Sequence, residues 1–357
     1  MLSLLIFLPT VYSVPHYFYL LAIIPIIFRD KGFYLELSSQ QMNSFYLITF
    51  IIFLSLLNYM IGIPKLNSIS NVIPYFIVYL LTFYISSKLT DKDLRILIWI
   101  IFIEILFVFF EFYNGINTIF TSNIDYRNGL SYEYLYFFRP HGLSSGSSTI
   151  SYKIMIMLIL IDYLKLNTTT LFKILKYVGL LAMIITFNRT VIIAMTLYYL
   201  MKNYKIFLNF RNIFIAIILI STVLYYNFEL ILAIIDSQFN RGKDTLDLSY
   251  RDVIWLNNFN FIENNILFGN NSIKYLTLLD VYDELEHAHN SFIQILSTNG
   301  IVIFMLYVFL IVFNLKKTNF IYIVPFLIYS TYQYGIFWAI SIVDIIFLYL
   351  LIFKRAK

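Results

Sequence analysis

The stretch LRILIWIIFIEILFVFFEFY, residues 94–113, decides the class of fold. An α-helix needs about 20 mainly apolar residues to cross the hydrocarbon of a bilayer, and this run supplies them, with Glu104 near its middle. Further apolar runs, separated by charged punctuation, lie at 3–28, 42–62, 71–87, 147–164, 170–187, 189–201, 212–233, 290–314, 319–335 and 338–353. The first is interrupted by Pro15 and reads as either one tilted helix or two short ones, giving eleven or twelve crossings. It has no Lys or Arg ahead of its apolar residues and no small-residue cleavage site, so a cleaved signal peptide is not expected. Composition agrees with a chain solvated mostly by lipid. Of 357 residues 60% are hydrophobic and 13% charged, and the mean hydropathy is +0.79. Soluble domains carry roughly a quarter charged residues. The expected architecture is all-α, a polytopic membrane helix bundle with residues 1–357 as one transmembrane domain. The absence of Cys excludes disulfides, thiolate nucleophiles and Cys-ligated zinc.

Positive charge chooses the sides of the membrane. Arg29/Lys31, Lys88/Lys92/Arg95, Lys165/Lys173/Lys176, Lys202/Lys205/Arg211, Lys316/Lys317 and Lys354/Arg355/Lys357 fall at alternate turns, which are therefore cytoplasmic. The net charge of +5 reflects this topology and does not call for a nucleic-acid partner. The longest polar stretch, residues 234–289, carries nine acids against four bases and fits the outer face. Within it, Tyr250 to Leu256 and Phe259 to Ile262 interleave apolar and polar residues at helical spacing, which predicts an amphipathic helix, packed on the bundle or lying at the lipid interface. By the same alternation 114–147 and the Asn188-Arg189 junction face outward.

Three outward regions carry residues suited to chemistry. Arg189 stands at a turn before a run of only 13 residues, about 20 Å of helix, which places it below the outer headgroups and against a wet cavity. The alternative is an arginine snorkelling to phosphates. His289, in Glu286-His287-Ala288-His289-Asn290-Ser291, precedes a span; an imidazole there can accept a proton near neutral pH, or it and Asn290 can cap the helix. His-x-His without a defined third ligand is weak evidence for metal. Arg139, His141 and Arg251 complete a set whose guanidinium forks suit a pyrophosphate. Glu104, Asp162 and Asp344 lie inside other spans, as the acids of a proton-coupled transporter do. Motifs for ATP hydrolysis, Rossmann cofactors and common proteases are absent, and so is an early external Asp-x-Asp pair of metal-dependent glycosyltransferases.

The order of these features resembles the O-antigen polymerase (Wzy-type) and O-antigen ligase superfamily of bacterial surface-polysaccharide assembly. The matching pieces are Arg139-Pro140-His141-Gly142, Phe187-Asn188-Arg189-Thr190, Arg251-Asp252-Val253-Ile254-Trp255, and His289-Asn290-Ser291 through Gly300; Asn188 replaces the usual Ser. The resemblance implies about a dozen spans in the bacterial inner membrane and an active site facing the periplasm or outside. It implies glycan transfer from undecaprenyl pyrophosphate without cofactor or metal. The expected roles are His289 as base, Arg189 and Arg251 on the leaving group, and Arg139, His141 and Asn290 as substrate contacts. Expected partners are undecaprenyl-pyrophosphate-linked oligosaccharides, membrane lipid, and a chain-length regulator and a flippase of the same pathway. Within the superfamily the extreme hydrophobicity and moderate loops favour a polymerase over a ligase, which would hand the glycan to lipid A core.

Overall fold

The computed structural model describes residues 1–32, 35–61, 69–120, 139–207, 214, 221, 250–270, 276–279, 284–333, 335–337 and 340–353. The expected span 212–233, apart from residues 214 and 221, lies outside the described residues, as do 121–138 and the first part of the 234–289 loop. The rest is helical: α1 Leu2–Phe7, α2 Ile23–Asp30, α3 Ser39–Ile61, α4 Ile69–Lys88, α5 Asp91–Asn114, α6 Ser147–Tyr163, α7 Thr170–Ile185, α8 Arg189–Lys202, α9 Arg251–Asn264, α10 Ser291–Asn314, α11 Phe320–Tyr332 and α12 Ile342–Leu348. Among the described residues α3, α5 and α10 are long and apolar enough to cross a membrane unaided. The run 3–28 takes the second of its two readings: α1 ends near Pro9, Pro15 leaves the chain extended, and a 3-10 turn leads into α2.

The all-α expectation holds for the membrane-spanning part, with a small addition outside it. Strands β1 Thr277–Leu279 and β2 Glu284–Glu286 form an antiparallel ribbon pairing Thr277 with Glu286. The amphipathic expectation for α9 needs amending. Ile254 and Ile262 are buried, yet Leu256 and Phe259 are 60% and 50% exposed, so apolar side chains occupy both faces.

Packing gathers the chain into two compact units: residues 1–100 with 250–357, and 101–249. In the first unit α3 lies along α10, joined by a hydrogen bond from Ser44 Oγ to Asn314 Oδ1 (2.9 Å), and α12 rests on α4, where Ser86 Oγ donates to the Ile345 carbonyl (2.9 Å). In the second unit α6 is the central helix, buried over most of its length, with α7 and α8 around it.

Helix α5 shows how sequence makes a membrane element. Thr90 and Asp93 cap it reciprocally, and Asp91 and Asp93 favour its positive end. Trp99, Ile103, Leu106, Phe110 and Tyr113 form an exposed stripe suited to lipid. The opposite stripe, Leu97, Ile101, Glu104, Val108 and Glu111, is buried, so both carboxylates face protein.

Candidate active site

In the first unit the site is built around the turn that enters α10. Asn290 is its N-cap, a residue type that satisfies the free amides of a helix start. Its side-chain oxygen accepts from the amides of Phe292 (2.9 Å) and Ile293 (3.0 Å), while its Nδ2 donates to the Thr331 carbonyl (2.8 Å) at the end of α11. Ser291 Oγ accepts from the amides of Gly335 (3.0 Å) and Ile336 (3.2 Å). Asn290 thus takes the cap alternative of the sequence reading.

One residue earlier, His289 adopts a left-handed conformation with φ 48°. A side chain makes that conformation unfavourable by roughly 1–2 kcal/mol. Neighbouring bonds hold it there. The Ala288 amide donates to Gln294 Oε1 (2.9 Å), and the Ala288 carbonyl accepts from Trp255 Nε1 (2.7 Å) on α9. Beneath them Ile262, Ala288 and Ile293 form an apolar cluster joined by Trp255 and Leu296. Arg251 lies one helical turn before Trp255 and on the same face of α9.

The imidazole of His289 is 28% exposed, and its Nε2 lies 3.4 Å from the Glu286 carboxylate. His287 stacks obliquely on it, with ring centroids 4.1 Å apart, and its Nδ1 is 3.7 Å from the same carboxylate. A carboxylate in that place orients the ring and stabilises a proton taken up by it. Glu286, His287 and His289 also present one ligand atom each within 4.8 Å of one another. That donor set is compatible with a divalent cation.

The helix that His289 enters is broken. Gly300, inside α10, has φ 77° and ψ 179°. Only glycine takes that conformation readily, and a Cβ there would collide with the Leu267 carbonyl. The segment after α9 fills the break: the Ile301 amide donates to the Ile266 carbonyl (2.8 Å), the Asn270 amide to the Ser297 carbonyl (2.8 Å), and Asn58 Nδ2 to the Phe268 carbonyl (2.9 Å). Irregular backbone at membrane depth is thereby satisfied by protein.

In the second unit Arg189 is the first residue of α8, behind the N-cap Asn188, whose side chain accepts from the Val191 amide (3.2 Å). Asn supplies here the capping oxygen that Ser would. Thr186 is bonded to Ser151 near the start of α6 (2.9 Å), and the ring of Phe187 lies 6.5 Å from that of Phe112 near the end of α5. Arg139 and His141 lie in the loop before α6, whose backbone is bound to Glu111 and Glu104 of α5. Arg139, His141 and Arg189 therefore share one end of this unit, as Arg251, His289 and Asn290 share one region of the other.

The intramembrane acids are engaged internally. Glu104 pairs with Lys153 (2.6 Å), both side chains fully buried. Asp162 accepts from Lys176 (3.0 Å), Lys202 (2.6 Å), Tyr198 (3.0 Å) and Asn167, tying together α6, α7 and α8. Asp344 accepts from the Phe337 amide (2.7 Å) and Ser341 Oγ (2.9 Å) at the start of α12. The feature that suggests a proton-coupled transporter is a set of structural acids. Sequence reasoning misses Trp255, Gln294, Glu111 and Lys153; the one available signal is the cost of placing Lys153 inside a span.

Fold and sites together define a helical membrane protein with permanent cations and a polarised imidazole at the ends of its helices. Residues 174–308 match the family model of the O-antigen ligase domain, Wzy_C, in agreement with the O-antigen polymerase and ligase superfamily. At the level of that family the match supports a glycosyl-transfer enzyme of surface-polysaccharide assembly. No curated protein and no solved structure gave a match.

Proposed function

We propose that the protein is a repeat-unit polymerase of a bacterial surface polysaccharide, O-antigen or capsule, moving a growing glycan from undecaprenyl pyrophosphate to a sugar hydroxyl of the next lipid-linked repeat unit. The observation that carries this reading is that one matched segment, 174–308, contains Arg189, Arg251 and His289, which precedes the N-cap Asn290. The acceptor oxygen attacks the anomeric carbon, the bond from that carbon to the pyrophosphate oxygen breaks, and the configuration inverts. His289 takes the hydroxyl proton, with Glu286 stabilising the resulting charge. Arg189 and Arg251 take up the charge growing on the leaving pyrophosphate. Arg139, His141 and Asn290 contact the phosphate or glycan. The pyrophosphate is already activated, so the transfer proceeds without ATP or a metal ion.

The chain works in the inner membrane with this chemistry on the periplasmic side, beside the flippase and chain-length regulator of its pathway. Cysteines introduced singly at Asp247 and Lys316 test the orientation in this Cys-free chain. Only the first should react with a membrane-impermeant thiol reagent in intact, outer-permeabilised cells; equal reactivity overturns the orientation.

The family description favours a second reading, a ligase that delivers the glycan to lipid A core. Deleting the gene in its host and running the surface polysaccharide on a gel separates the two. Collapse of the ladder to one repeat unit on core supports the polymerase. Loss of all core-linked glycan with lipid-linked chains retained supports the ligase, and unchanged glycan contradicts both.

A further inference from the structure

Two buried carboxylates of α5 have no place in that mechanism, and both are spent on the loop that carries Arg139 and His141. Glu111 Oε2 accepts from the amides of His141 (2.8 Å) and Gly142 (2.7 Å), and its Oε1 from that of Ile119 (3.0 Å). Glu104 Oε1 accepts from the Leu143 amide (3.1 Å), from Ser144 Oγ (2.8 Å) and from Lys153 Nζ (2.7 Å). Three successive backbone N–H groups thus converge on carboxyl oxygens, the geometry by which a backbone nest holds an anion, with the acceptors supplied by the protein itself. Gly142 makes the approach possible: it sits at φ 60°, and a Cβ on it would lie 3.1 Å from Glu104 Cγ. A side chain at that position would meet both an unfavourable backbone conformation and the carboxylate stem.

The two carboxylates also set the depth of the loop. Glu111 is three residues from the end of α5 and Glu104 ten. At the helical rise these are depths of about 5 Å and about 15 Å along the axis. Residues 141–144 therefore run down beside a spanning helix before α6 begins at Ser147. Non-helical backbone at that depth is tolerated where protein or a wet cavity satisfies it, and an arginine at its mouth is placed to meet an anionic ligand.

From this geometry we infer that Glu111 and Glu104 are positioning residues: they draw the 139–144 loop into the outer half of the membrane, so that Arg139 and His141 meet the phosphate and first sugars of a lipid-linked substrate at the depth where its pyrophosphate lies. The inference rests on the polymerase reading for the identity of the substrate. Lys153 offsets the cost of burying the Glu104 carboxylate, which stays available to the loop as an acceptor.

Glu111→Gln is the test variant, because it preserves volume while removing the charge and leaving one oxygen where two had served the Ile119 amide and the loop amides. Hydrogen exchange of purified protein should quicken at least tenfold at the 141–143 amides and stay unchanged in α10. With lipid-linked repeat units, KM should rise about tenfold while kcat stays within threefold, since the loop binds and does not react. In an Arg139→Ala background Glu111→Gln should add little to KM. Unchanged exchange at 141–143 overturns the inference even if wild type turns over no repeat units, an outcome that would contradict the polymerase reading on its own. A fall in kcat at constant KM, or full additivity with Arg139→Ala, assigns Glu111 to folding alone and also overturns it. Should Glu111→Gln fail to insert, Gly142→Ala, which pushes the loop away from Glu104, must give the same pattern of exchange and KM.

Discussion

The turn before α10 and the loop before α6 both hold a histidine at a helix entrance, yet they are fixed by opposite means. Around His289 the backbone is satisfied by neutral groups: the Trp255 indole, the Gln294 and Asn290 amides and the Ser291 hydroxyl. Around His141 it is satisfied chiefly by two carboxylates, one of them in a fully buried ion pair, with the Asn117 carbonyl sharing the His141 amide (2.8 Å). Neutral clamps hold the backbone without adding a charge of their own, which suits the proton acceptor that we propose His289 to be. Charged clamps are roughly twice as strong as neutral ones, which suits a loop that must be held at depth without reacting.

The comparison breaks first at the buried pair. Lys153→Met leaves the Glu104 carboxylate buried without its cation, a loss on the order of 3–5 kcal/mol. Thermal unfolding in detergent should show a large drop, and Glu104→Gln with Lys153→Met should recover most of it. If the single variant is as stable as wild type, the pair does not organise the loop. Next is Gly300→Ala, where a side chain meets both a forbidden conformation and the Leu267 carbonyl. Destabilisation on the order of 3 kcal/mol is expected by the same measurement.

Trp255→Phe sharpens the comparison on the neutral side. The Ala288 carbonyl loses its indole donor beside His289. Stability should fall by about 1 kcal/mol and kcat roughly tenfold. Unaltered kcat would show that the turn holds its shape without α9. The smallest effect belongs to an ion pair outside the spans. Lys88, bonded to Asp30 at 2.8 Å, holds that carboxyl below its usual 3.8 against the opposing effect of burial, with Arg29 adding to the lowering. A carboxylate lowered in this way contributes stability above its ordinary value and loses it as pH falls through the native one. Lys88→Met should therefore lose less than about 1 kcal/mol at pH 7, and the difference from wild type should shrink as pH is taken below 3.8, compared by unfolding across that range.

The spans are legible because lipid imposes long apolar runs, and α3 to α8 and α10 lie within a few residues of where those runs predict them. The break at Gly300 is not: residues 290–299 are more polar than 301–314, but a change of polarity does not announce a kink, and the Leu267 carbonyl that a side chain there would meet comes from a distant segment. The positions of Arg189, Arg251 and His289 at helix starts follow from local sequence, through the Asn188 and Asn290 caps and the onset of α9. Their supports do not, because Trp255 reaches Ala288 across 33 residues and Glu111 reaches Gly142 across 31. Glu104 and Asp344 stand out in the sequence as isolated charges for the same reason: some of the donors that satisfy them are backbone amides, and the Lys153 that pairs with Glu104 lies 49 residues away, neither of which a list of residue types reveals.

The central claim is that His289 accepts the proton of the acceptor hydroxyl. It is tested most directly with purified protein and lipid-linked repeat units, comparing wild type, His289→Ala and His287→Ala with and without EDTA. The expected result is loss of chain extension in His289→Ala at normal expression and membrane insertion, since the substitution leaves the Asn290 cap in place, together with a milder effect in His287→Ala and no response to EDTA. Extension by His289→Ala would contradict the assignment. Activity abolished by EDTA and restored by one divalent metal would make Glu286, His287 and His289 a metal site and contradict it equally.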